Sequence, residues 1–139
     1  MKFVMTCLLF MANGSVASSA VHFAPEIVEL TGRLEQQTFP GLTGYASIKE
    51  GDEAERGWYL RLSESISVRP NKPPVDPNER IENNVKILQM VLDPEKLEVW
   101  KALKVAKKVR VKGTLFVAWT GHHHSRVLIE VDQVSEARQ

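Results

Sequence analysis

Cysteine is all but absent from this chain: Cys7 is the only one in 139 residues. It lies in the opening stretch Met1-Lys2-Phe3-Val4-Met5-Thr6-Cys7-Leu8-Leu9-Phe10-Met11-Ala12, which leads into Asn13-Gly14-Ser15-Val16-Ala17-Ser18-Ser19-Ala20. A basic start, an apolar run too short to span a bilayer and a small-residue exit form the layout of a bacterial secretory signal. Residues 1–20 are therefore expected to be a signal peptide, with cleavage after Ala20 first and after Ala17 second. The alternative for this stretch is a buried N-terminal strand or helix. Cys7 precedes the apolar core, which does not suit a lipid-attachment cysteine. Without residues 1–20 the chain has no cysteine, which excludes a disulfide, a thiolate nucleophile and a thiolate metal site.

A surplus of either charge is missing too. Lys and Arg number 18 against 17 Asp and Glu, and loss of residues 1–20 removes only Lys2. Such balance lacks the basic footprint of a nucleic-acid binder, so no nucleic-acid partner is expected. No later run is long and apolar enough for a membrane span, which points to a soluble product in the periplasm or outside the cell. Enzyme signatures are missing as well: there is no nucleophile elbow, phosphate-cradling glycine loop or HExxH. No Ser-His-Asp set can be assembled from the sequence, so the chain is not expected to be an enzyme.

What is present is alternation. Glu26–Leu34 alternates apolar and polar, with Val28, Leu30 and Leu34 on one side and Gly32 on that face, where a missing side chain suits a bend or bulge. Residues 38–57 carry loop signals, among them Phe39-Pro40-Gly41 and Lys49-Glu50-Gly51-Asp52-Glu53, and long loops in compact domains are often functional. A second strand runs from Trp58 through Leu60, Leu62 and Ile66 to Val68. The segment 69–78, with four prolines, cannot be a central strand. Val85–Leu92 is apolar enough to be a third strand covered on both faces.

Asp93-Pro94-Glu95 is a helix start, with an N-cap, a proline in the first turn and an acid near the positive helix end. Leu97, Trp100 and Leu103 follow at helical spacing, and the helix is expected to end near Lys107-Lys108. Trp58 and Trp100 both fall on apolar faces and are expected in the core, while Lys101, Lys104, Lys107 and Lys108 form a solvated basic side. A fourth strand carries Val109, Val111, Gly113 and Leu115, and a fifth carries Val127, Ile129 and Val131. Three strands, a helix and two strands are the element order of the OB-fold, a five-stranded Greek-key barrel with a helix between strands three and four. The expected fold is thus a mainly β, OB-fold-like barrel over residues 21–139; a small α+β sandwich shares the order and is the alternative.

The most distinctive stretch is Gly113-Thr114-Leu115-Phe116-Val117-Ala118-Trp119-Thr120-Gly121-His122-His123-His124, leading into the strand at Val127-Leu128-Ile129. This GTLF-x-A-x-TGHHH pattern, with FPG, GY-x-SI-x-EGDE and WYLRL upstream, resembles a family of small exported bacterial proteins of unknown function. The resemblance implies export and the same element order, and carries no activity with it.

Two chemistries suit the histidine triplet. On extended backbone His122 and His124 project to one side and His123 to the other. Two imidazoles could hold Zn²⁺, Cu²⁺ or Ni²⁺ if a loop supplied further ligands, for instance Asp52 or Glu53. In the barrel, however, the loops 38–57 and 119–126 frame the usual OB-fold ligand face. Tyr45, Trp119, His122, His124 and Arg126 would then converge as stacking surfaces and donors for an envelope protein or cell-wall component. Against both stands a polar hairpin turn, with Trp119 and Tyr45 as loop anchors on the barrel end. The expected function is an exported binding module, one version being a protein inhibitor or immunity protein acting in the envelope. The alternatives are a periplasmic metal-binding protein using His122 and His124, and last a cell-wall-directed enzyme.

Overall fold

Alternation along Ile27–Pro40 (β2) buries Val28, Leu30, Gly32 and Leu34 and leaves most residues between them open to solvent, so one face of this strand must be covered. A computed structural model describes residues 20–41, 44 and 46–138 and shows what covers it. The other strands are β1 (Ala20–His22), β3 (Ala54–Arg69), β4 (Glu82–Val91), β5 (Lys108–Val117) and β6 (Val127–Glu136), with one short helix α1 (Leu97–Ala102). β2 pairs antiparallel with β3 and β5, β3 with β4, and β5 with β6. A parallel pairing of β4 with β6 closes the ring. Five strands joined in this way, with the helix between the third and fourth of them, make the OB-fold-like barrel.

β1 adds a sixth strand, parallel to the end of β3, with Ala20 opposite Ser67. The remainder of the expected signal, residues 1–19, lies outside the described residues. Just after β1, Phe23 is fully buried in the barrel core, which also takes Val99 from α1. Among the described residues no helix is long and apolar enough to cross a membrane.

Two glycines mark where the ring is tightest. Gly32 pairs with both Leu62 and Val109, and a Cβ there would stand 2.3 Å from the Arg61 carbonyl oxygen. At Gly113 a Cβ would stand 2.0 Å from the Glu130 carbonyl oxygen, beside a register shift that leaves Asp132 unpaired in the ladder. Both glycines thus serve a close backbone approach.

Three expectations need correction. The 38–57 loop is shorter, because Thr38, Phe39 and Pro40 pair with Arg56, Glu55 and Ala54, leaving residues 41–53 and a 3-10 turn at Ile48–Glu50 as the connection. The helix is six residues long and opens at Leu97, since Asp93 Oδ1 instead accepts the Glu95 amide in a preceding turn. Its expected continuation fails because β2 captures the chain: the Ala106 amide donates to the Leu34 carbonyl (2.7 Å) and the Leu34 amide to the Lys107 carbonyl (3.0 Å). Only Lys101 of the four lysines is therefore helical. The buried helix residue is Val99, whereas Leu97 is 62% and Trp100 42% exposed, so Trp100 is not core. Its indole Nε1 donates to the Asp93 carbonyl instead, while Trp58 does pack against the core.

The Gly113 contact is backbone against backbone, which no side-chain rotation can relieve. Gly113→Ala is expected to lower stability by about 1–3 kcal/mol, the cost of overpacking a filled site. A urea denaturation series checks this; an unchanged midpoint would show that β5 and β6 separate freely there.

Candidate functional site

Outside the barrel core lies a second, smaller packed layer. Tyr59 is opposite Gln89, Gln89 opposite Leu128, and Leu128 opposite Phe116, a row crossing β3, β4, β6 and β5. Tyr59, Gln89 and Leu128 are buried, yet Tyr59 and Leu128 are not part of the barrel core. Period-2 alternation explains this, because Leu60, Leu88 and Ile129 beside them point inward. The row is on the outer face, and the β5–β6 hairpin, residues 118–126, folds back onto it.

Gln89 makes the attachment. Its Nε2 donates to the His122 carbonyl (2.8 Å), and its Oε1 accepts the His124 amide (2.6 Å). Its own backbone amide donates to Ser125 Oγ (3.0 Å), which in turn donates to the Val127 carbonyl (2.6 Å). The hairpin is also tied within itself: the Ala118 amide donates to the Arg126 carbonyl, and the His123 amide to the Thr120 carbonyl.

The three histidines divide as the extended spacing suggests. His123 turns towards Trp119 and Phe116, meeting each ring edge-on at 5.6 Å between centroids. Its Nδ1 accepts the Trp119 amide (3.0 Å), which requires that nitrogen to be unprotonated. Burial lowers the His123 pKa, and the neighbouring His122 and His124 lower it further. His122 and His124 turn the other way, to Glu55 on β3. The His122 Nδ1 is 2.9 Å from both carboxylate oxygens. The His124 ring stacks on Phe39 (4.3 Å, 7°), and its Nε2 comes within 3.6 Å of Glu55, beyond hydrogen-bond range.

Phe39 also packs against Tyr59 at 5.7 Å. Among the described residues neither the Tyr59 hydroxyl nor His124 Nε2 has a hydrogen-bond partner. Burial, with the Glu55 charge adding to it, pushes the Tyr59 phenol up to about 12.

The sequence-derived candidates therefore do not form one set. His122 and His124 meet at Glu55. Trp119 stands apart with His123, and is 71% exposed instead of packed on the barrel end. Arg126 pairs with Glu82 of β4 (3.0 Å) and lines, together with His124, a groove that also borders Asn84 and Lys86. Tyr45 lies outside the described residues. Asp52, considered above as a further ligand, accepts the amides of Gly44, Ala46 and Ser47 at 2.7–2.8 Å and so shapes the 41–53 connection. Among the described residues no group of three or more His, Cys, Asp or Glu side chains is arranged to hold a metal ion.

Glu55, Gln89, Phe39 and Tyr59 were not legible as site residues. One signal did point to their layer: Trp58-Tyr59-Leu60 and Val127-Leu128-Ile129 are unbroken apolar triplets, which in a strand require both faces to be covered.

A family model for a domain of unknown function, DUF4431, matches residues 87–135, from β4 through α1 and β5 into β6. That span contains Gln89 and the hairpin but not Phe39, Glu55 or Tyr59. It agrees with the resemblance to an uncharacterised family. No curated protein and no solved structure matches the chain.

A phenol that titrates near pH 12 when folded and near 10 when unfolded favours the folded state fully below pH 10, and that contribution fades as pH rises towards 12. Tyr59→Phe should abolish this alkaline loss. It should also leave neutral-pH stability unchanged or raised by about 1 kcal/mol, since a buried hydroxyl without a partner is removed. Denaturation midpoints at neutral and alkaline pH, with tyrosinate absorbance alongside, test both; a loss of 2 kcal/mol or more at neutral pH would mean that the hydroxyl is bonded.

Proposed function

We propose that this chain is an exported binding module, acting in the periplasm or outside the cell, whose 118–126 hairpin engages an envelope protein or cell-wall component. The observation that carries this reading is Trp119, a large aromatic left 71% exposed on a segment whose backbone is tied down. An indole so exposed gains nothing from folding and keeps its apolar area available for a partner, and tryptophan is enriched among the residues that dominate interface energies. The hydrogen bonds that the Trp119 amide donates to His123 Nδ1 and that both ends of the Gln89 amide make to the hairpin mean that little ordering remains to be done on association. The neighbouring 41–53 connection belongs to the other loop that frames the ligand face of OB-fold barrels. A protein inhibitor of the immunity type, acting on a toxin in the envelope, is the version that suits a small, charge-balanced exported barrel.

Among the described residues the Trp119 indole makes one ring contact, edge-on with His123, and is 71% exposed, so Trp119→Ala should change stability by no more than about 0.5 kcal/mol. The same substitution should weaken capture of the partner from bacterial envelope extract by about 2 kcal/mol or more, the size of an interface hot spot. Quantitative pull-down with the parent and variant chains decides it. Equal recovery of every captured protein would remove Trp119 as the contact and this reading with it.

A further inference from the structure

At the far end of β3 from Glu55, the chain forms a groove of about 640 Å³ between the segment His22 to Glu26, which leads from β1 into β2, and the proline-rich segment that follows β3. This is within the size range of small-molecule sites. One wall is fixed, because Asn71 Nδ2 donates to the carbonyls of Phe23 (3.2 Å) and Ala24 (2.7 Å). Pro70, Pro74 and Ile81 supply apolar lining, and Ile81 is left 61% exposed.

Charge in the groove is unbalanced. Glu26 is held by His22 Nδ1 at 2.9 Å. Arg69 and Lys72 also line the groove, and among the described residues neither side chain has an ion-pair or hydrogen-bond partner. Two cations without a partner among the described residues, beside an apolar trough, match a ligand with an anionic head and an apolar tail. The guanidinium fork of Arg69 fits a carboxylate with two parallel hydrogen bonds, and Lys72 adds a point charge. With Glu26 close by, the site suits one negative charge better than several.

We propose that this groove binds an amphiphilic carboxylate, the head held by Arg69 and Lys72 and the tail lying along Pro70, Pro74 and Ile81. The site is separate from the hairpin and does not depend on the function proposed for it.

Amide NMR titrations of the full chain with octanoate, octanol and acetate test the assignment. Octanoate should shift the amides of Asn71 and Ile81 to saturation, and octanol and acetate should each bind at least about tenfold more weakly. Arg69→Gln with Lys72→Gln should lower octanoate affinity by at least about tenfold, and Ile81→Ser should weaken it as well. Lys49→Gln, an exposed lysine at the other end of the molecule, should leave it unchanged. Preserved dispersion of the remaining amides shows that each variant is folded. Octanol binding as well as octanoate would mean apolar adsorption, and acetate binding as well would mean unspecific anion attraction; either overturns the proposal. An undiminished affinity in the double variant, or shifts at the hairpin in place of the groove, overturns it equally.

Discussion

The side-chain amide of Gln89 is the constraint on which the candidate site depends. Gln89 lies where the barrel closes, paired with Tyr59 of β3 on one side and Leu128 of β6 on the other. At this position it is buried, with both ends of its amide used by the hairpin. An open hairpin would hand the Gln89 amide to water, so each of these hydrogen bonds contributes a net of about 0.5–1.5 kcal/mol to the closed arrangement. Ring closure and hairpin position are thereby coupled through one residue.

Much follows from that coupling. The hairpin is laid back over Tyr59 and Phe39 instead of extending into solvent, which brings His124 onto Phe39 and His122 to Glu55. Two histidines of a triplet that invites a metal reading are thus engaged by a ring face and a carboxylate. Trp119 is on the uncovered side of the same turn. Ion pairs around the rim, such as Lys96 with Asp132 and Arg61 with Glu35, are half-exposed or more on at least one partner. Solvent screening leaves pairs of that kind little net stabilisation. Burial of side chains such as Leu60, Leu88, Leu115 and Ile129, each worth about 1.5–3 kcal/mol, decides the fold.

The barrel was legible because alternation is a local property. Val28, Leu30 and Leu34, or Val109, Val111 and Leu115, declare their strands without reference to any partner, and the element order then selects the topology. What escaped the sequence depended on pairing across the sheet. Phe39 and Glu55 look like loop residues until the ladder places them opposite one another, and Glu55 becomes a partner of His122 only after the hairpin has folded back. The helix was over-extended because helical spacing at Leu97, Trp100 and Leu103 cannot reveal that Leu34 will capture the backbone at Ala106. Gln89 is a polar residue between the apolar pairs Ile87-Leu88 and Met90-Val91, a pattern that gives no hint of what its amide will hold.

Amide hydrogen exchange along residues 118–126 measures this coupling most directly. The amides of Trp119, His123 and His124 have acceptors inside the hairpin or on Gln89, so they should be protected in the parent chain. Protection of His124 should fall selectively in Gln89→Ala, while the β5 and β6 ladders keep theirs. Exchange of these three amides at free-peptide rates in the parent chain would contradict a hairpin held against the barrel by Gln89.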